Sequence, residues 1–496
     1  MDIDRAVALC VANGFWRLPI WLGAYQCDSA PASFHHGYDA LSRFGRTAAP
    51  FPPPIRERQE RQKPKSGGSL KIRLRAYSQL THTLGVGFAA AVLCAAAAAA
   101  ELSLTGFGTI GYAVSDQRFQ YLRYIDKGGA LKTDSLVGLQ GELVVDPQWS
   151  ATAQVVASAP RTRDDGYEAQ VRWAFVSYRP NNEWLFRAGR LRPPVLVNAQ
   201  NAEVGVTFDH ARLPTEVYSL VPVYDLDGAA ITKTWALENS EINLDGYAGN
   251  TKIKFRNPFQ ANPALRLFPD PYIPEKVAFA GLVLSHSSGP LSLRAGAHRG
   301  TLRPDGVPFI DGITPVPVPA PPPFGGSLYR PGNLIDKLGF NAFTLGADWQ
   351  SGDWRITGEY GRRRISGSNI GNNSQSMYAT AARNAGQWTP YITYARLLST
   401  PAVRKLYQDL NTTPVPLGAQ GPPLFVPAGF HQILAGQIWV YDQYSTMLGA
   451  SYRIGPASKL KFEWMRTHIG LGSALVDGDV HRKSFNVFSV SYNFVF

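Results

Sequence analysis

Four short patterns in this 496-residue chain invite a chemical reading. Gly106-Phe107-Gly108-Thr109-Ile110-Gly111 fits G-x-G-x-x-G, but a dinucleotide site needs a strand before it and a helix after it, so that the phosphates meet a helix N-terminus. Here the pattern lies inside one alternating segment, which excludes that use. Asp225-Leu226-Asp227-Gly228 looks like part of a calcium loop without the remaining ligands at EF-hand spacing, and reads as a turn entering a strand. His210, His286, His298, His431, His468 and His481 include no two at metal-ligand spacing. Ser285 and His286 are adjacent, so on a strand they point to opposite faces, and neither H-E-x-x-H nor G-x-S-x-G occurs. Enzymatic chemistry, a metal and a cofactor are therefore not expected, which leaves charge as the chemistry available.

The charge divides at Glu101. Lys and Arg number 12 before it and 37 from it onward; Asp and Glu number 6 and 31. The surplus after Glu101 is spread out and forms no run of the kind that grips nucleic acid. All three cysteines (Cys10, Cys27, Cys94) precede Glu101, so no disulfide framework follows it. Cysteine avoidance suits passage through an oxidising compartment. An apolar run from about 80 to 100 follows Lys71, Arg73 and Arg75 and ends in six alanines, the layout of a secretory signal peptide. Residues 70–100 are read as that signal. Residues 1–69 are read as a misassigned or disordered leader, with Leu70 as the expected translation start.

From Glu101 onward, segments alternate between apolar and polar residues with period 2, as half-exposed strands do. The last runs Phe488, Val490, Tyr492, Phe494, Phe496 on one face, with Val487, Ser489, Ser491, Asn493 and Val495 on the other. Sixteen such segments are counted, beginning with 102–114, 131–145 and 149–157. The joints between them alternate strictly between long and short. A mean hydropathy of −0.15 is low for helical membrane proteins but normal where every second residue faces water. The expected fold is all-β: a transmembrane antiparallel barrel of about 16 strands spanning 101–496, with short periplasmic turns and long extracellular loops. The first and last strands should pair and close it. Thr314–Pro323 is polyproline-like and reads as a stiff outer loop, or a contact for a phage or partner.

The signal peptide, the strand count, the loop alternation and the terminal aromatic strand resemble the Gram-negative outer-membrane porins, in particular the general 16-stranded type. That resemblance implies an outer-membrane location and a homotrimer. It implies passive diffusion of small hydrophilic solutes, and recognition of Tyr492, Phe494 and Phe496 by the barrel-assembly machinery. It also implies that the third long loop, about 190–227, folds into the lumen as a constriction. Two alternatives remain open: a substrate-specific channel for sugar, phosphate or a carboxylate, and a non-conducting surface barrel acting as adhesin or anchor.

Within that loop the acids are Glu203, Asp209, Glu216, Asp225 and Asp227, with Arg190 and Arg192 at its root. Strand phase selects the facing wall. Val171 and Trp173 facing lipid put Gln170 and Arg172 inside. Trp184 and Phe186 outward put Arg187 inside. The same logic turns Arg294, His298, Arg355, Glu359, Arg363, Asp245, Asp348, Lys461 and Glu463 inward. Arginine opposite carboxylate sets up a transverse field that favours polar solutes. Basic inward positions slightly outnumber acidic ones, which favours anions weakly. Glycines Gly106, Gly108 and Gly111 are expected to face a crowded lumen or a trimer contact.

Overall fold

The computed structural model describes residues 101–496 except 222, 258–271 and 423. The leader and signal-peptide readings lie outside the described residues. Sixteen antiparallel strands close into one barrel in simple sequence order. They are β1 (Glu101–Ser115), β2 (Leu136–Val144), β3 (Trp149–Ser158), β4 (Glu168–Tyr178), β5 (Trp184–Leu191), β6 (Leu226–Ala236), β7 (Ser240–Arg256) and β8 (Tyr272–Ser288). The second half comprises β9 (Leu291–Pro304), β10 (Leu338–Ser351), β11 (Trp354–Ser366), β12 (Ser374–Arg383), β13 (Trp388–Ser399), β14 (Tyr441–Gly455), β15 (Ser458–Ser473) and β16 (Lys483–Val495). β1 pairs with β16 from Phe107↔Val495 to Ser115↔Val487, and this ladder removes both free edges.

One end of the barrel carries turns as short as 289–290, 352–353 and 456–457; the other carries loops as long as 192–225, 305–337 and 400–440. The outward positions of the strands are apolar and exposed, among them Leu104, Leu139, Leu282, Phe343, Ile392 and Val490. Near the turns they become aromatic: Trp149, Trp235, Trp354 and Trp388 form a belt, with Trp149 against Tyr178 at 4.5 Å between ring centroids. The inward positions are mostly polar, among them Gln154, Thr344, Thr393 and Asn493, with apolar residues such as Phe279, Phe340 and Met447 between them. A closed antiparallel barrel with an apolar band, an aromatic belt and a polar interior is the architecture of an outer-membrane protein, because lipid leaves no partner for an unpaired strand edge.

Three local readings change. β2 begins at Leu136, not at 131, and residues 116–135 form a longer first loop. The ladder between β3 and β4 slips between Gln154 and Val155: Gln154 pairs with Trp173 and Val155 with Val171. Arg172 is thus the extra residue of a bulge. The slip reverses the phase beyond it, so Trp173 turns into the lumen with Phe175, not toward lipid. The proline-rich stretch is no free polyproline rod: Ile313–Val318 pairs with Gly326–Pro331 as a loop hairpin. Pro315 and Pro317 lack a ladder donor, which a two-stranded edge tolerates. Gly106 and Gly108 face outward under the rings of Phe496 and Phe494, so the space their missing Cβ leaves is taken by the terminal aromatics.

Candidate functional site

The third long loop (192–225) turns into the barrel and is tied to the wall at many points. Its short helix α1 (Thr215–Tyr218) carries Glu216, which is fully buried. Glu216 Oε1 accepts a hydrogen bond from Gln443 Nε2 at 2.9 Å and another from the Ser445 hydroxyl. Asp209 accepts from Ser451 Oγ at 2.7 Å and from Lys459 Nζ at 3.0 Å. Lys461, with no exposed surface, donates to the carbonyls of Gly205 (2.6 Å) and His210 (2.9 Å). Its ammonium also lies 4.0 Å from the Phe208 ring centroid. The Val197 amide donates to Glu359 Oε2 at 2.7 Å, and the Tyr218 hydroxyl to Oε1 at 2.7 Å. Arg363 donates to the Leu220 carbonyl at 2.6 Å, and Arg294 to the Pro194 carbonyl. On the remaining side Arg212 pairs with Asp134 of the first loop. His298 bonds to Tyr247 and Thr344 on the wall itself.

These contacts hold the loop against β9–β16 and leave space beside β1–β7. Two cavities lie there. The inner one is lined by Phe107, Trp173, Arg187, Arg192 and Asp245. The outer one, about 590 Å³, is lined by Arg123, Arg161, Arg172, Tyr224, Asp225 and Arg256. A cluster of five charges sits where they meet. Arg192 spans Glu203 Oε2 (2.8 Å) and Asp225 Oδ1 (3.1 Å). Arg161 reaches the same two carboxylates at 3.2 and 3.4 Å. Arg172 lies 3.1 Å from Glu203 through Nε, an ion pair without an aligned hydrogen bond, and 3.7 Å from Asp225. Arg161 also stacks over Tyr224 at 3.8 Å. Three guanidiniums face two carboxylates, a surplus of one positive charge. Burial pushes the Glu203 carboxyl up, but Arg192, Arg161 and Arg172 outweigh it and hold it at about 2, so it stays ionised.

The structure therefore brings together Arg172, Arg192, Glu203 and Asp225. Arg187 lines the inner cavity opposite them, where its Nη2 lies 3.4 Å from Thr232 Oγ1, which in turn bonds Asp245. Asp209, Glu216, Arg294 and Arg363 are anchors of the loop. Arg190 and Asp227 are corrected: they pair with each other at 3.4 Å, on the outward row that continues Phe186 and Ile231. Their register parity, set by the outward Phe186, turns them toward the outer face, and Arg190 also borders the outer cavity. Above Leu191 and Leu226 neither β5 nor β6 continues, so the upper parts of β4 and β7 face each other across a notch. Arg161, missed in the sequence, belongs to the second long loop (159–167); its spacing carries no strand phase and so no signal of which way it points.

Among the described residues no group of three His, Cys, Asp or Glu forms a metal cage. No family model matches the chain. No curated protein matches it either. Among solved structures the chain is similar to an anion-selective porin from Comamonas acidovorans (13% identity, TM-score 0.46, covering 80% of this chain and 100% of that one). It is also similar to OmpF of Salmonella typhi, solved in complex with daunomycin (11%, 0.44, 79% and 97%). A third likeness is to the outer-membrane channel DcaP of Acinetobacter baumannii (10%, 0.44, 81% and 98%).

Proposed function

We propose that this chain is a porin: a passive, non-enzymatic diffusion channel of the Gram-negative outer membrane for small hydrophilic solutes, with a weak preference for anions. The observation that carries this reading is the Arg161–Arg172–Arg192 cluster with Glu203 and Asp225, set between two cavities inside a closed barrel. Fixed charges of opposite sign at a narrow point orient polar solutes without binding them tightly, and the surplus cation biases traffic. The loop at 192–225 is the constriction. The outer positions of β1–β4, such as Leu104, Ile110, Leu139, Val155 and Val171, carry no charge and are apolar and exposed, which suits packing against copies in a homotrimer. Tyr492, Phe494 and Phe496 are the expected handle for the assembly machinery. The stacked Arg161–Tyr224 pair beside the outer cavity favours one refinement, a channel selective for a carboxylate or phosphate solute.

Planar-bilayer recording on the full chain tests this. A potassium chloride gradient should give stepwise conductance and a reversal potential on the anion side. The double variant Arg161→Gln/Arg172→Gln takes the cluster from +1 to −1 and should move that potential toward cations. Absence of conductance steps from heat-modifiable, folded protein would defeat the reading, and saturable block by phosphate would select the refinement.

A further inference from the structure

The inner cavity lies between the third loop and the turn end of the barrel, beyond the charged cluster as seen from the loop end. The register lays out its lining in two rows across β1–β4. One row runs Thr105, Gln140, Gln154, Trp173. The next row toward the turns runs Ser103, Glu142, Thr152, Phe175. All of these except Ser103 border the cavity. Each row is polar over three strands and ends in an aromatic ring on β4. The bulge at Arg172 is the cause, since it turns Trp173 and Phe175 inward. The two rings lie 6.1 Å apart at 47°. They form an apolar platform one inter-strand spacing, ~5 Å, from Gln154 and Thr152.

Polar groups around this platform lack a protein partner. Nε1 of Trp173 and Nε of Arg187 are buried, with no hydrogen-bond partner among the described residues. Gln154 Nε2 donates to Gln140 Oε1 at 2.9 Å, which leaves the Gln140 N–H groups and the Gln154 carbonyl to the cavity. The Glu142 carboxylate has no ion pair or hydrogen bond among the described residues. A buried donor without an acceptor is costly, and a ligand that supplies one removes that cost. Across the cavity stand Arg187 and Asp245, with Asp245 accepting from the Thr232 hydroxyl at 2.6 Å. Arg192 also borders the space but is spent on Glu203 and Asp225. Arg187 against Glu142 and Asp245 leaves a surplus of one negative charge, the reverse of the arginine cluster.

We propose that the inner cavity is a subsite for an uncharged sugar ring, a hexopyranose. A pyranose presents C–H groups on its faces and hydroxyls around its rim. The C–H face suits the Trp173–Phe175 platform. Each hydroxyl both donates and accepts. The rim therefore satisfies the Trp173, Arg187 and Gln140 donors and the Gln154 and Glu142 acceptors together. An anion supplies acceptors alone and meets two carboxylates. An ammonium cation supplies no acceptor for the unfilled donors. A linear polyol has the hydroxyls but no ring face. The inference goes beyond diffusion of small hydrophilic solutes, and rests on that reading only for the route by which the sugar arrives.

The test titrates the purified full chain in nonionic detergent with methyl α-glucopyranoside, sorbitol, glucuronate and benzoate, read by saturation-transfer NMR and by calorimetry, neither of which needs conduction. The glucopyranoside should bind saturably and more tightly than the other three, and should interrupt single-channel current over the same concentration range. Trp173→Ala should weaken its binding about tenfold, with the heat-induced gel shift unchanged. Trp173→Phe keeps a ring face without the N–H and should retain part of the affinity. Glu142→Gln removes the negative surplus and should raise the affinity for glucuronate. Unchanged glucopyranoside binding by folded Trp173→Ala overturns the proposal. So does the absence of saturable binding to the unmodified chain, or binding of glucuronate or benzoate as tight as that of the glucopyranoside, whether or not the variants assemble. Sugar binding by a barrel without conductance would defeat the channel reading and leave the subsite standing; conductance without sugar binding would do the reverse.

Discussion

The two halves of the lumen use the same residue types to opposite ends. Against β11–β16, several charges are buried under the loop and hold it: Lys461 on two carbonyls, Glu216 on Gln443 and Ser445, Asp209 on Lys459. Against β4 and β5, three guanidiniums and two carboxylates remain beside open cavities. Asp209 has the opposite charge of Lys459 beside it, which cancels it at short range, whereas Lys461 and Glu216 have neutral partners and are set apart from a solute by the loop that buries them. A cluster with unequal numbers of each sign keeps a residual field. Position relative to the third loop, and not residue type, separates the charges that anchor it from those left beside the cavities.

The largest effect that would break this division is on selectivity. Arg172→Ala removes a cation from the cluster, and Lys461→Met removes one from the anchored half. Arg172→Ala should lower the anion-to-cation permeability ratio several-fold, whereas Lys461→Met should leave the ratio unchanged. The reversal potentials of the two, measured in one salt gradient, decide it: equal shifts would erase the distinction. Glu203→Gln, which takes the cluster to +2, should raise the ratio.

Next in size is the anchoring itself. Lys461→Met leaves the Gly205 and His210 carbonyls without their charged donor, and a lost hydrogen bond to a charged group costs about 1.5–3 kcal/mol. The heat-induced gel shift should come at lower temperature, and single-channel records should become noisier as the loop loosens. Glu216→Gln keeps an acceptor for Gln443 and Ser445 and should cost less, about 1 kcal/mol. If Glu216→Gln were the more damaging of the two, the ranking of the anchors would be reversed.

The barrel was far more legible than the site, for a physical reason. A strand with lipid on one side and water on the other must alternate, and so sixteen segments and the closing pair of β1 with β16 could be read from period 2 alone. Alternation also turned Arg187, Arg294, Glu359, Arg363 and Lys461 inward. Phase fails where the ladder is irregular. The bulge at Arg172 reversed Trp173, and Arg190 with Asp227 lay on the outward parity although they flank the loop. Arg161 lies in a loop with no phase at all. Which inward charges stay open depends on where a long loop lies down, and that is set by contacts between residues more than two hundred positions apart, such as Glu216 with Gln443.

A smaller effect sharpens the comparison through pH. His210 lies within the third loop, with Nε2 at 3.0 Å from Thr380 and 2.9 Å from Thr393. Burial pushes its pKa down to about 4, from an ordinary value of 6.5. The unfolded chain therefore takes up a proton between those values that the folded chain refuses. Stability contributed at this position is complete above pH 6.5, falls as pH drops from 6.5 toward 4, and changes no further below. Glu203, held at about 2, does not titrate in that window. Between pH 7 and pH 4.5 the heat shift should move to lower temperature while selectivity stays constant, and His210→Gln should flatten the former without touching the latter.

The smallest effect belongs to the pair that the register moved out of the lumen. Arg190 and Asp227 are partly exposed, with side-chain exposures of 33% and 56%, and lie 3.4 Å apart at the rim. Exposed pairs of this kind contribute about 0–1 kcal/mol. Arg190→Ala should therefore change neither the reversal potential nor the heat shift beyond measurement error, although it removes the same charge as Arg172→Ala from a position eighteen residues along the chain. A shift in selectivity as large as that of Arg172→Ala would mean that the notch above β5 opens Arg190 to the solute path, and that the field in this channel reaches through the wall between β4 and β7.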